Sequence, residues 1–178
     1  MGSRPRRADA QRNYDLLLAA AARVFAERGA DAPLDDVARR AGVGNATMYR
    51  HFPTRSDLLV AVYADEVAQL CASGEVLLAT EPPTEALHEW LRRFMEHVTS
   101  KRDLATAITN DTPAGALLAG WHESMLTTAT TLLDAAKRAG AVRADLDVRD
   151  LLTLVMGIAL ATADQAHAER LLSLIAWN

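Results

Sequence analysis

The sequence predicts an all-α protein in which a small N-terminal helix-turn-helix domain precedes a larger C-terminal helical bundle. Three observations predict this fold. Apolar residues recur at helical spacing along most of the 178-residue chain. No segment alternates apolar and polar residues over the length that a strand requires. Glycine and proline interrupt the pattern at helical intervals, which predicts about nine helices.

The first helix is predicted to end at Gly29, where glycine is a favoured residue after a helix. Its apolar stripe consists of Tyr14, Leu17, Leu18, Ala21, Val24 and Phe25. Four arginines are expected to precede this helix as a basic arm: Arg4, Arg6, Arg7 and Arg12. Such an arm can contact phosphates or enter the minor groove of DNA, and it could equally be a soluble terminus without a ligand.

The next two helices are predicted to form a tight pair around Gly42. The first of the pair carries an inward stripe of Leu34, Val37, Ala38 and Ala41. Gly42 suits a turn that needs a positive φ, and the small Ala38 allows a second helix to cross closely. The second helix is short, with Asn45 as its expected N-cap and inward contacts from Val43, Met48 and Phe52.

The outward side of this short helix is polar, and its residue types suit the major groove of DNA. Its members are Asn45, Thr47, Tyr49, Arg50 and His51. Amide and hydroxyl groups can bond base edges, the two rings can contact phosphate or base, and the arginine adds positive charge. Ala46 is small enough to permit close approach of the backbone. The alternative is an ordinary helical hairpin with a solvated face, which the spacing of Ala38 and Gly42 alone would favour.

The remaining elements are predicted to be helices separated by short loops. Pro53 ends the short helix, and Thr54 with Asp57 forms a carboxylate variant of the capping box at the start of a long helix. The predicted ranges are residues 55–78, 84–100, 104–109, 116–139 and 148–163, followed by a last helix that contains Leu171, Leu172, Leu174, Ile175 and Trp177.

Two segments of the N-terminal part resemble the TetR family of bacterial transcriptional regulators. They are FAERGAD at residues 25–31 and LDDVARRAGVGNATMYRHFPTRSDL at residues 34–58. The segments at residues 8–31 and 90–105 resemble an actinobacterial-type subgroup of that family. The resemblance implies a DNA-binding domain at residues 1–53 and a ligand-binding and dimerisation domain at 54–178. It also implies a homodimer that represses from a palindromic double-stranded DNA operator and is released by a small-molecule effector of unknown identity.

The resemblance also implies which residues contact DNA. It places Asn45, Ala46, Thr47, Tyr49 and His51 on the recognition helix, beside Arg50, and it assigns a phosphate contact to Arg55. Asn45 and Arg55 stand where family members often have lysine, and Ala46 stands where they usually have glycine. Pro33 replaces a common Ser or Thr cap. These departures leave the operator sequence open.

A ligand pocket is expected between two later helices that carry aromatic, sulfur-containing and partly polar side chains. The candidate residues are Trp90, Phe94, His97, Trp121, His122 and Met125, with Met95 beside them. A stripe of this kind at helical spacing also fits a plain apolar core.

The segment at residues 148–163 is apolar on nearly all sides, so it must be covered on more than one side. We expect a partner subunit to supply part of that cover in a four-helix dimer interface. The expected interface residues are Leu151, Leu152, Val155, Ile158, Ala159, Leu171, Leu174 and Ile175. Packing within one chain is the alternative.

Composition narrows the remaining function classes. Residues 1–52 hold nine arginines against six acidic residues, although the whole chain carries a net charge of −4. Arg23 interrupts the early apolar run, which argues against a signal peptide or membrane anchor, so we expect a cytoplasmic protein.

The sequence offers little support for catalysis or for a bound metal. The histidines lack ligand spacing, and the single Cys71 excludes an internal disulfide, so neither a metal site nor a cofactor is expected. No phosphate loop, nucleophile elbow or HExxH motif is present, so we expect no enzyme activity. The alternative function is an all-helical adaptor or oligomerisation module without sequence-specific DNA binding.

Overall fold

The fold consists of helices throughout the part of the chain that the structure describes. The structure is a computed structural model that describes residues 4–100, 113–162 and 164–175. Eight helices lie within these ranges. They are α1 (Arg4–Arg28), α2 (Leu34–Ala41), α3 (Asn45–His51), α4 (Arg55–Thr80), α5 (Pro83–Ser100), α6 (Pro113–Arg138), α7 (Val148–Ala161) and α8 (Gln165–Ser173). The predicted all-α class is confirmed.

Most predicted helices are present, and the differences lie at their ends. The prediction that four arginines precede the first helix is wrong, because α1 begins at Arg4. The added residues are mostly arginine, alanine and glutamine, which favour a helix. Pro83 rather than Thr84 begins α5, since proline suits the first helical position. The predicted helix at 104–109 and Trp177 lie outside the described residues.

The described residues belong to two compact units, which divide within α4. One contains residues 4–65, and the other contains 66–100 together with 113–162 and 164–175. The predicted domain boundary after residue 53 corresponds to the start of α4 rather than to this division.

The first unit is a small helical head in which α1, α2 and α3 pack against one another. Its core includes Leu17 and Ala21 of α1, Val37 and Ala38 of α2, and Met48 of α3, all of them inaccessible to solvent. The first turns of α4 add Leu58 and Val62. Burial of these apolar side chains contributes most of the free energy that holds the head together.

The turn between α2 and α3 depends on Gly42. Its φ of 67° lies in the left-handed region that glycine adopts without strain. The Val43 amide donates to the carbonyl oxygen of Ala38, and the Gly42 amide donates to that of Arg39. This is the hydrogen-bond pattern of a Schellman motif, so α2 ends sharply and only three residues separate it from α3.

The second unit is organised around α5, which packs against both α6 and α7. Its buried residues are Ala86, Leu87, Trp90, Leu91, Phe94 and Met95. Leu132 and Leu133 of α6 and Leu172 of α8 complete the interior. The core of this unit therefore lies along one helix that is covered by its neighbours.

Helix α7 has an apolar inner side and an apolar outer side. Leu151, Val155 and Ala159 are at most 1% exposed. On the opposite side Leu154 is 51% exposed and Leu160 is 48% exposed. Both sides are apolar, so hydrophobic periodicity alone cannot tell which one faces the protein's own core.

Candidate nucleic-acid interface

Helix α3 presents a compact polar surface at one side of the head. Asn45, Ala46, Tyr49 and Arg50 are exposed, and the Tyr49 ring retains 46% of its accessible surface. Residues four apart lie in one row on a helix, so Asn45 aligns with Tyr49 and Ala46 aligns with Arg50. The structure therefore brings four of the predicted DNA contacts onto one exposed face.

Thr47 and His51 are also predicted contacts. Both are half-buried, so they are less accessible than the other four residues. The His51 ring makes an edge contact with Tyr14 of α1, with ring centres 6.1 Å apart. Phe52, just after α3, packs a tilted ring 5.1 Å from the same tyrosine. These contacts fix the end of α3 against α1.

The ends of α3 differ from the prediction that Asn45 is its N-cap. Gly44 occupies the N-cap, and Asn45 is the first helical residue. The Asn45 side chain instead reaches α2, where its Nδ2 donates to Oδ1 of Asp35 at 3.1 Å. Pro33 is the N-cap of α2 and provides no side-chain hydrogen bond, as the sequence suggested.

Several arginines of the head are committed to carboxylates. Arg40 donates through Nη1 and Nη2 to the two carboxylate oxygens of Glu27, at 2.5 and 2.7 Å, and this hydrogen bonding lowers the pKa of Glu27. Asp36 accepts from Arg28 at 2.6 Å and also from Arg39. Arg50 has no ion-pair partner among the residues that the structure describes. Its exposed guanidinium is therefore accessible from solvent.

The start of α4 is fixed by a local capping box and by a contact of Arg55 with a distant loop. The amide of Asp57 donates to Thr54 Oγ1, and the amide of Thr54 donates to the Asp57 carboxylate, which confirms the predicted capping box. Arg55 Nη1 donates to the carbonyl oxygens of Ala30 and Ala32, both at 2.7 Å. Sequence reasoning missed this second contact because it joins residues more than twenty positions apart.

The candidate ligand residues do not form one site. Trp90 is fully buried, its ring stacks on Phe94 at 5.6 Å, and its Nε1 donates to the carbonyl oxygen of Leu70 at 3.0 Å. Met125 is also buried, at 4% exposure. Trp90, Phe94 and Met125 are therefore part of the core. Trp121 is half-buried and His122 is exposed.

His97 differs from the other candidates because it lines an open polar cleft. The cleft has a volume of about 450 Å³ and lies between α4 and α5. Glu66, Gln69, Ser73 and Arg93 line it as well. A ligand role for the six candidates stays a prediction.

A different cavity of about 480 Å³ lies between the end of α5 and the junction of α7 with α8. Its lining residues are Met95, Glu96, Thr99, Ser100, Thr162, Asp164, Gln165 and Ala168. Gln165 donates to Glu96 at 2.9 Å and thereby joins the two sides of the cavity. Sequence reasoning missed this cavity because its lining comes from helices that are distant in the chain. The polar residues between α7 and α8 were the one local feature that could have indicated it.

Neither a metal-ligand cluster nor a membrane-spanning helix is found in the described ranges. No group of three or more metal-ligating side chains lies close enough to hold an ion in the described part of the chain. None of the helices described here is both long and apolar enough to cross a membrane.

Comparisons with known proteins agree with this geometry. Residues 17–62 match the profile of bacterial regulatory proteins of the tetR family, and residues 82–176 match the C-terminal domain of SbtR-like transcriptional regulators. The crystal structure of a TetR transcriptional regulator from Streptomyces coelicolor is 44% identical, with a TM-score of 0.76, and the match covers 90% of this chain and 94% of that one.

Two further structures show the same fold. A TetR regulator from Mycobacterium vanbaalenii is 38% identical, with a TM-score of 0.78 and 95% coverage of both chains. The fatty acid degradation regulator FadR from Bacillus halodurans is 20% identical, with a TM-score of 0.62, and the match covers 92% of this chain and 99% of that one. That likeness concerns the fold alone.

The two profiles together span both compact units, and the Streptomyces structure is related along nearly the whole chain. Members of this family are DNA-binding regulators rather than enzymes. This confirms the expectation from the sequence that the protein is not an enzyme. The chain belongs to the TetR family of bacterial DNA-binding transcriptional regulators.

Proposed function

We propose that the protein is a cytoplasmic homodimeric repressor that binds a palindromic operator and dissociates from it when a small molecule binds the second unit. The observation that carries this proposal is the exposed face of α3, where Asn45, Ala46, Tyr49 and Arg50 are accessible while Met48 anchors the helix in the core. Amide, phenol and guanidinium groups on a short exposed helix match the donors and acceptors of a major groove.

The outer side of α7 supports the homodimer. Leu154, Met156 and Leu160 are between 42% and 51% exposed, and Leu174 after α8 is 74% exposed. Four large apolar side chains on one unit favour coverage by a second copy. In the proposed interface these residues replace Leu151, Val155 and Ala159, which are buried within their own chain.

The other predicted interface residues differ in how accessible they are. Leu152 and Ile158 of α7 are half-buried, as are Leu171 of α8 and Ile175 after it. They therefore belong to the margin of the proposed interface. A dimer formed through this face would carry two reading heads, as a palindrome with half-sites about 34 Å apart requires.

The cavity at the end of α5 supports the effector part of the proposal. Its volume of about 480 Å³ lies within the usual range of small-molecule sites. Met95 and Ala168 offer apolar contact, while Thr99, Ser100 and Thr162 offer hydroxyl groups. An effector would release the operator only by binding more tightly to a conformation that binds DNA poorly.

The test is a fluorescence-anisotropy titration with duplex DNA from beside the protein's own gene, in a series of salt concentrations. We expect tight binding to one segment and a steep loss of affinity as salt rises, because phosphate contacts release counterions. The variant Tyr49→Ala should lose at least about tenfold in specific affinity and remain a dimer. The variant Val76→Ala, on an exposed position of the second unit, is the control.

An adaptor without DNA recognition gives a different result. It would show no sequence preference at any salt concentration, and Tyr49→Ala would then have no effect. The absence of any sequence preference would refute the proposed repressor, and specific binding that Tyr49→Ala leaves unchanged would refute the role assigned to Tyr49. Candidate effectors are screened in the same assay by the rise in the apparent dissociation constant.

A further inference from the structure

Asp35 lies beside the first residue of α3 and contacts its side chain. The Oδ1 atom of Asp35 accepts a hydrogen bond of 3.1 Å from Nδ2 of Asn45. Both residues are exposed, and they come from different helices of the helix-turn-helix. The contact therefore joins α2 to the surface that is proposed to read DNA.

We propose that Asp35 is a specificity-determining positioning residue, which orients the Asn45 amide so that its oxygen faces the bases. An ionised carboxylate has no hydrogen to donate, so the Asn45 atom beside it has to be the amide nitrogen. That bond commits one N–H of Asn45. The amide oxygen of Asn45, its Oδ1, accepts no hydrogen bond from the residues that the structure describes. It is therefore a free acceptor.

A free acceptor at this position recognises a donor on a base edge. In the major groove the donors are the exocyclic amino groups of adenine and cytosine, whereas guanine and thymine offer acceptors there. The inference, which rests on the proposed DNA-reading role of α3, therefore predicts adenine or cytosine at one position of each half-site. Without Asp35 the amide could rotate and offer its nitrogen to a keto group instead.

Charge repulsion is the competing explanation for any effect of Asp35. A carboxylate near the DNA would weaken binding to every sequence through its repulsion of phosphates. Such an effect changes affinity uniformly and does not change the preferred base. Base preference, rather than affinity, is therefore the readout that separates the two explanations.

The experiment measures base preference by selection of randomised duplexes, followed by anisotropy titrations with each of the four bases at the selected position. Four full-length proteins are compared: wild type, Asp35→Ala, Asp35→Asn and Asp31→Ala. Asp31→Ala removes the same charge from an exposed loop position of the same head. Asp35→Asn removes the charge but keeps an oxygen that can accept from Asn45.

We expect wild type and Asp31→Ala to prefer an amino-bearing base by about fivefold to tenfold at one position. Asp35→Asn should retain this preference, and Asp35→Ala should reduce it below about twofold while other positions are unchanged. In an Asn45→Ala background, Asp35→Ala should have no effect on preference. Equal effects of Asp35→Ala and Asp31→Ala would overturn the inference.

A second measurement does not depend on DNA. The side-chain amide signal of Asn45 in an ¹H–¹⁵N spectrum should shift in Asp35→Ala and stay in place in Asp31→Ala. If the Asn45 signal does not shift in Asp35→Ala, the inference is overturned even if DNA binding is specific. Wild-type protein that prefers no duplex would refute the proposed function itself, whatever the amide signal shows.

Discussion

Arg55 is the residue for which the family resemblance and the structure emphasise different contacts. The resemblance implies a phosphate contact, whereas the structure directs Nη1 to the carbonyl oxygens of Ala30 and Ala32. Two charge-assisted hydrogen bonds from one half-buried group tie the first turn of α4 to the loop between α1 and α2. The two roles predict different consequences of substitution.

We expect Arg55→Lys to destabilise the head by about 1–2 kcal/mol, because a lysine ammonium does not reproduce the guanidinium geometry at two carbonyls. Thermal unfolding followed by circular dichroism measures this effect. The dependence of DNA affinity on salt should stay unchanged in Arg55→Met. If stability is unaffected and the salt slope instead becomes shallower by about one unit, Arg55 is a phosphate contact.

Glu89 is the residue whose charge the second unit stabilises most clearly. Its pKa falls from 4.5 to about 2, mainly because Arg92 donates a hydrogen bond to it, with Arg93 as a second donor. A carboxylate with a lowered pKa in the folded state stabilises the protein above its unfolded pKa. That contribution is lost as the pH falls from about 4.5 towards 2.

The variant Glu89→Gln should therefore be less stable than wild type at neutral pH by about 1 kcal/mol, a value reduced by solvent screening. The difference should shrink below pH 4.5 and disappear near pH 2. Urea denaturation at a series of pH values measures it. Glu123→Gln, which alters an exposed carboxylate on α6, should show no such trend.

At the residue scale, the sequence predicts what depends on near neighbours. Gly42 and the Thr54–Asp57 capping box were predictable because the turn and the cap are formed within a few positions. The contact between Asn45 and Asp35 was not, because it depends on how α2 and α3 cross. A side chain that bonds to a distant residue leaves no local pattern.

Gly74, in the C-terminal half of α4, illustrates how packing between elements overrides helix propensity. Alanine is more favourable than glycine in a helix interior by about 1 kcal/mol. A Cβ at Gly74, however, would lie 2.5 Å from Cγ2 of Thr128 on α6 and 3.4 Å from the Trp90 ring. The absent side chain is what permits this close approach.

We expect Gly74→Ala to destabilise the protein by about 1–3 kcal/mol, because Thr128 is stiff at χ1 and cannot easily move aside. Thr128→Ser removes the obstructing methyl group. In that background Gly74→Ala should have no destabilising effect or should stabilise the protein. Equilibrium unfolding of the double-mutant cycle measures the coupling, and additive effects of the two changes would contradict this account.

The helices themselves were largely predictable, and their faces were less so. Amphipathic elements such as α2 and α5 revealed their inward residues because polar positions mark the other side. In α7 both sides are apolar, so the sequence assigned Leu151, Val155 and Ala159 to an interface although they face the chain's own core. In such a helix no polar positions mark the outer side, so hydrophobic periodicity cannot identify the inner one.

At the scale of the whole molecule, the proposed dimer depends on the outer side of α7. We expect the double variant Leu154→Glu, Leu160→Glu to be monomeric, because two charges would be buried without partners at the interface. Operator affinity should fall by about 100-fold or more, since two linked heads bind far more tightly than one. Light scattering and anisotropy measure the two effects.

Val76→Glu is the matched control for this prediction, because Val76 is 61% exposed and lies on α4 rather than α7. It should remain dimeric and bind the operator. Circular dichroism should show the same helix content in all three proteins. A double variant that stays dimeric would place the interface elsewhere on the molecule.

The sequence predicted the fold class and the family, but it did not predict the cavities. The cavity at the end of α5 joins Glu96 to Gln165 across 69 positions of sequence. Its shape depends on the packing of α5 against α7, which no single segment encodes. Trp90 and Phe94 are ordinary core residues in the structure, as the alternative interpretation of their stripe allowed.

Helix α3 is attached to the head mainly through Met48, which is its single fully buried residue. Substitutions at Asn45, Ala46, Tyr49 and Arg50 should therefore leave the melting temperature nearly constant while they change which duplex is bound. Related proteins could then acquire new operators by mutation at these few positions without loss of folding. On the proposed function, we expect the stability of this protein and its choice of operator to be separable.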